Sequence, residues 1–99
     1  MKEAKEKINF GEYLHQLRIK HQLPQKVVAD KLSIDISLLS KIEHGERFVQ
    51  AHMLIGIAEL FELNYRTLQI QFLTQRMEED YGNEPFFRES LQHYLNRSK

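Results

Sequence analysis

Side chains able to do acid–base or covalent chemistry occur in this 99-residue chain, but none is placed for it. The five histidines, His15, His21, His44, His52 and His93, show neither HExxH nor His-x₃-His spacing, so they lack the arrangement that a catalytic metal needs. There is no cysteine, hence no thiolate ligand and no thiol nucleophile. No glycine-rich loop is available to cradle a phosphate, and Glu78-Glu79-Asp80 reads as a solvated helix end. The expectation is a protein that is not an enzyme and needs no cofactor or metal. What remains is hydrogen-bonding capacity, with Gln25, Ser37, Ser40, Lys41, His44 and Arg47 falling in one short stretch.

The elements that must hold those side chains are helices, because the apolar spacing is helical throughout and only four glycines and two prolines interrupt it. Asn9 is an N-cap with Glu12 at capping-box distance, and Ile8 and Tyr13 have the spacing of a hydrophobic staple. The first helix buries Phe10, Leu14 and Leu17 and ends near His21-Gln22. Pro24 marks a second start, since proline is tolerated only at or before a first helical turn. Val28, Ala29 and Leu32 face inward from Gln25 to about Leu32, and Ser33-Ile34 is a turn. Asp35 reads as the cap of a third helix, Leu39 and Ile42 as its inward face, and Gly45 as its stop. A loop over 46–50 leads to a fourth helix with Met53, Leu54, Ile57, Ala58 and Phe61 on one face. Asn64 caps a fifth, Gly82-Asn83 breaks the chain, and Pro85 restarts it.

Two short helices joined by a tight turn, with small Ala29 at their crossing, form a helix-turn-helix pattern. The longer run is more specific. Leu23-Pro24-Gln25-Lys26-Val27-Val28-Ala29, Leu32-Ser33-Ile34-Asp35 and Leu39-Ser40-Lys41-Ile42-Glu43-His44-Gly45-Glu46-Arg47 together resemble the phage repressor/Cro (XRE-type) helix-turn-helix family, and Ile57-Ala58-Glu59-Leu60-Phe61 is similar to its fourth helix. The resemblance covers roughly residues 10–73. It implies an all-α fold, a five-helix repressor-like helix-turn-helix domain with an additional C-terminal helix, and it implies double-stranded DNA as partner.

The resemblance also implies residue roles. Gln25 matches a glutamine that holds a phosphate and braces the recognition helix, and helix N-termini suit phosphates. Ile36, Ser37 and Lys41 fall where members contact base edges, with Ser40 on the same side. Lysine donates to guanine acceptors, and Ile36 suits a thymine methyl or else extends the core. His44 and Arg47 sit on the following loop at phosphate-contact positions, although a surface loop histidine has the same look. Arg18 and Glu43 match a partly buried ion pair between the first helix and the recognition helix. The chain departs from the family at Pro24, where a capping Ser/Thr is usual, at Ser33 for a turn glycine, at Val49 for a loop proline, and at Gly56 inside a helix. Few Arg, Gln or Asn lie on the recognition helix, which points to narrow base specificity or to readout of DNA shape.

Residues 1–8 read as a charged tail, 9–73 as the DNA-binding domain and 74–99 as a helical extension. Ile70, Leu73, Met77, Phe86, Phe87, Leu91 and Tyr94 are either its core or a homodimer interface; two-fold symmetry would supply the second half-site that one recognition helix lacks. Fourteen basic and fourteen acidic side chains cancel, so bulk charge is not the source of nucleic-acid affinity. No apolar run is long enough for a membrane span, and the charged start Met1–Lys7 is unlike a signal peptide, so the expected location is the cytoplasm. The expected function is a sequence-specific transcriptional regulator reading the major groove with residues 36–43, as a homodimer on an inverted repeat. The rival is an antitoxin-like or regulatory module that binds another protein through its C-terminal helices.

Overall fold

A computed structural model describes residues 9–98, and in them the chain forms helices and no strand. The elements are α1 (Phe10–Lys20), α2 (Gln25–Leu32), α3 (Ile36–Glu43), a 3-10 turn (Ala51–Met53), α4 (Leu54–Phe61), α5 (Tyr65–Tyr81) and α6 (Phe87–Arg97). No helix among the described residues is long and apolar enough to cross a membrane. The expected tail and the Ile8 staple position lie outside the described residues.

Three helices begin on short polar side chains that accept an otherwise unpaired backbone N–H. The Asn9 oxygen accepts from Glu12 N–H at 2.7 Å, Asp35 from Leu38 N–H at 2.7 Å and Asn64 from Thr67 N–H at 2.9 Å. Pro24 precedes α2 with no side-chain cap, as its missing hydroxyl requires. α3 ends in a Schellman turn: Gly45 adopts φ 82°, its N–H reaches the Ile42 carbonyl at 3.0 Å, and Glu46 N–H reaches Lys41 at 2.8 Å. The turn between α2 and α3 uses the same device with Ser33 in the left-handed region, φ 60° and ψ 40°, a conformation that glycine adopts more cheaply.

The core is continuous from α1 to the first half of α5. Leu14, Val28, Leu39, Ile42, Leu54 and Ile57 are fully buried and interlock α1 with α3, α2 with α3, and α2 with α4. Phe10 meets Phe72 edge-on at 5.2 Å, so the first turn of α1 closes against α5. Val49 is buried from the loop and joins the core. Beyond Phe72 the burial stops. α6 contains no fully buried residue: Phe86 and Tyr94 are exposed and are not core, while Phe87 is half-buried. α6 also begins two residues later than Pro85, because Phe87 N–H bonds the Glu84 carbonyl at 3.2 Å and Pro85 lies inside that turn.

Two glycines set how closely helices approach. A methyl at Gly11 would collide with the backbone carbonyl of Ile42, so α1 sits against the end of α3 only because position 11 has no side chain. At Gly56 a methyl would come to 2.9 Å from the Leu32 Cδ2, where α4 crosses α2, but that atom is the movable end of a side chain. Gly11→Ala is therefore expected to destabilise by about 1–3 kcal/mol or more. Gly56→Ala should change stability by less than about 1 kcal/mol, crowding being offset by helix propensity. Ser33→Gly should gain up to about 1 kcal/mol by relieving the left-handed residue. Urea denaturation of the three variants checks the order.

Candidate nucleic-acid interface

The surface that faces outward from α3 is positioned by a carboxylate that faces inward. The Glu43 side chain is 2% exposed and receives donors from two other elements. Arg18 of α1 donates from Nε to Oε2 at 2.7 Å and from Nη2 to Oε1 at 3.0 Å, the two-pronged geometry for which guanidinium is suited. Its remaining nitrogen, Nη1, donates to the Leu23 carbonyl at 2.9 Å and so fixes the segment before α2. The His15 Nδ1 lies 2.9 Å from Oε1; with a carboxylate as acceptor, the ring N–H donates. Gln25, the first residue of α2, adds a longer bond from Nε2 to Oε1 at 3.3 Å.

Burial pushes the Glu43 carboxyl up, but the bonds from Arg18 and His15, the charge of Arg18 and the bond from Gln25 outweigh it, and the group is held below the ordinary carboxylate range. The bond to Glu43 raises Arg18 against a smaller opposing effect of burial. Thus α1, the start of α2 and the end of α3 meet at one ionised group.

The opposite side of α3 makes no use of its side chains within the fold. Ile36 is 44% exposed and does not extend the core. Ser37, Ser40, Lys41 and His44 line a single shallow, open depression together with Glu46. The His44 Nδ1 is 2.7 Å from the Ser40 carbonyl, so it carries the donated proton, and in the neutral ring Nε2 is left outward as an acceptor. Arg47 lies elsewhere. It borders a cleft with Asn9, Gly45, Phe48 and Arg76, between the start of α1 and α5. In that cleft the Arg76 guanidinium stacks 3.9 Å from the Phe48 ring centroid and reaches Asp80 at 3.3 Å. Gln25 is half-buried with its amide engaged inward, at the free N-terminus of α2.

Two residues of this region were given no role by sequence reasoning. His15 precedes Arg18 by three, which puts both on one helix face toward the same carboxylate. Glu46 occupies a turn whose backbone bond to Lys41 places it on the rim of the depression. Among the described residues no group of three His, Cys, Asp or Glu side chains is placed to hold a metal ion. At the far end, Ile70, Leu73, Met77, Phe86 and Tyr94 are exposed and Phe87 and Leu91 half-buried, with Tyr81 and Leu95 adding to the same apolar surface.

Removing Arg18 alone leaves Glu43 buried without its main partner, so Arg18→Met is expected to cost about 3–5 kcal/mol. A lowered folded pKa means that Glu43 stabilises the fold fully above its unfolded value, about 4.3, and loses that contribution as pH falls through the folded value. Glu43→Gln should flatten the acid side of the stability–pH curve, as read by thermal melting from neutral pH downward.

A family model described as a helix-turn-helix domain matches residues 11–70, more than half of the chain. No curated protein and no solved structure gives a significant match. The matched span runs from Gly11 to Ile70 and contains α2, α3, the Arg18–Glu43 tie and the whole outer face of α3. This chain belongs to the helix-turn-helix domain family, and with it to DNA-binding regulators in the general sense.

Proposed function

We propose that the protein is a sequence-specific transcriptional regulator that lays α3 in the major groove and binds an inverted repeat as a homodimer. It acts in the cytoplasm and is not an enzyme. The observation that carries this is the two-sidedness of α3: Glu43, Leu39 and Ile42 are buried, while Ile36, Ser37, Lys41 and His44 face solvent with Ser40 between them. Lys41 donates to guanine O6 or N7, Ser37 and Ser40 supply adaptable hydrogen bonds, and Ile36 meets a thymine methyl. The N-terminus of α2 with Gln25 and Arg47 contacts phosphates, and His44 joins them when its ring carries a second proton so that Nε2–H donates; these contacts set register rather than sequence.

Electrostatics sharpen this. Lys26 and Lys31 are engaged with Asp30 at 3.1 Å and Glu59 at 2.9 Å, so among the described residues Lys41 on the outer face of α3 and Arg47 on the loop after it are the nearby cations without an ion-pair partner. With Lys41 and Arg47 as the neutralising groups, two protomers bring four cations, and log K should fall with log salt concentration with a slope of about −4. Affinity rests on placement, not on bulk charge.

The exposed apolar surface of α5 and α6 favours one rival, a module that keeps the helix-turn-helix as a scaffold and binds another protein. Selection from a genomic fragment library at moderate salt separates the two. The DNA reading predicts enrichment of an inverted repeat with half-sites about 10 bp apart. It also predicts that Lys41→Ala lowers discrimination against a base change under Lys41 by about 1–3 kcal/mol. No enriched sequence, with binding unchanged in Lys41→Ala, would overturn it.

A further inference from the structure

The arm formed by the end of α5 and by α6 has the features of half an interface. α6 is 11 residues long and only half-buries Phe87 and Leu91, whereas a helix shorter than about 12–15 residues is marginal in water without packing. Its apolar side chains Phe87, Leu91, Tyr94 and Leu95 recur at i, i+4, i+7 and i+8 and so share one face. Phe86, Tyr94 and Leu95 are each more than 60% exposed. A groove runs between this face and the end of α5, bounded by Thr74, Met77, Glu84, Phe87 and Leu91, and a second, more apolar one opens at the corner by Tyr81, Pro85 and Phe86. Ile70 and Leu73, 54% and 46% exposed, continue the same stripe back along α5.

Charge says what fills the groove. Glu78 and Glu84 line the groove together with Arg88, and the far end of α6 carries Arg97. Neither Glu84 nor Arg97 has an ion-pair partner among the described residues. An antiparallel copy of the arm, with its two-fold axis at Leu91, sets Phe87 against the partner's Leu95 and brings the tip cation Arg97 to the partner's Pro85, next to the partner's Glu84. Apolar face and end charges match in the same register, which a parallel pairing does not achieve.

We propose that two copies of the chain interlock through these arms, each α6 lying antiparallel in the groove of the other. The proposal rests on the homodimer of the reading above and specifies its surface. A standard interface covers roughly 800 Å² per partner. Tyr81, Phe86 and Tyr94, 56%, 68% and 62% exposed, bring most of an aromatic side chain's roughly 150–250 Å² to that area, and Ile70, Leu73 and Leu95 add to it.

Analytical ultracentrifugation of the full chain at micromolar concentration tests it. The wild type is expected to be a dimer, and Leu91→Glu is expected to weaken it by about 30-fold or more. Thermal melting of Leu91→Glu monitors the core, which α6 does not enter. Glu84→Arg and Arg97→Glu should each weaken the dimer by about tenfold, and the double variant should restore it. A dimeric wild type indifferent to Leu91→Glu and to both charge reversals overturns this surface and leaves the homodimer intact. A monomeric wild type overturns both, while enrichment of a single half-site in the fragment selection would still uphold DNA reading.

Discussion

Glu43 is an ionised carboxylate almost wholly removed from solvent, and that position is costly unless every oxygen is paired. The pairing is what assembles the domain. Arg18 and His15 come from one helix and Gln25 from the next, and all three converge on a residue at the end of α3. An apolar cluster of the same volume would hold the helices together as strongly or more so, but it would tolerate sliding and rotation. Fixed donors at fixed distances set the rotation of α3, and with it the direction in which Ser37, Ser40 and Lys41 present their polar atoms. Gly11 serves the same end, because it lets α1 approach the last carbonyls of α3 closely enough for Arg18 and His15 to reach.

Gln25 links the two sides of this arrangement. Its amide nitrogen is directed to Glu43, and its backbone opens α2, whose unpaired N–H groups form a natural phosphate seat. A phosphate held there is therefore held by an element already tied to α3, so backbone contact and base contact share a frame. The neutral overall charge fits that design. Little long-range attraction is available, so selectivity has to come from rigid placement and, in the proposed homodimer, from two reading surfaces.

Much of the fold was legible in residue types with one local meaning. Asn9, Asp35 and Asn64 are caps because their side chains satisfy a backbone donor three residues on, and that chemistry needs no tertiary partner. Gly45 marks the end of α3 for an equally local reason. The Arg18–Glu43 tie entered through family resemblance, since twenty-five residues separate the two. His15 joined the same carboxylate unannounced, because a half-exposed histidine carries no periodic signal. Gly11 was silent too: a glycine near a helix start has many uses, and only the approaching Ile42 carbonyl reveals this one. The aromatic α6 posed the opposite difficulty. Its pattern is that of a packed helix, and a pattern cannot say whether the packing lies within one chain or between two.

The account stands on α3 being the reading surface and Glu43 the fixed support behind it. Titrating a selected operator into labelled protein and following backbone amide resonances tests both at once. The predicted outcome is perturbation centred on residues 36–41 and the start of α2, with the core amides of α4 unmoved. Perturbation confined to residues 70–97, or none at saturating operator, would contradict it.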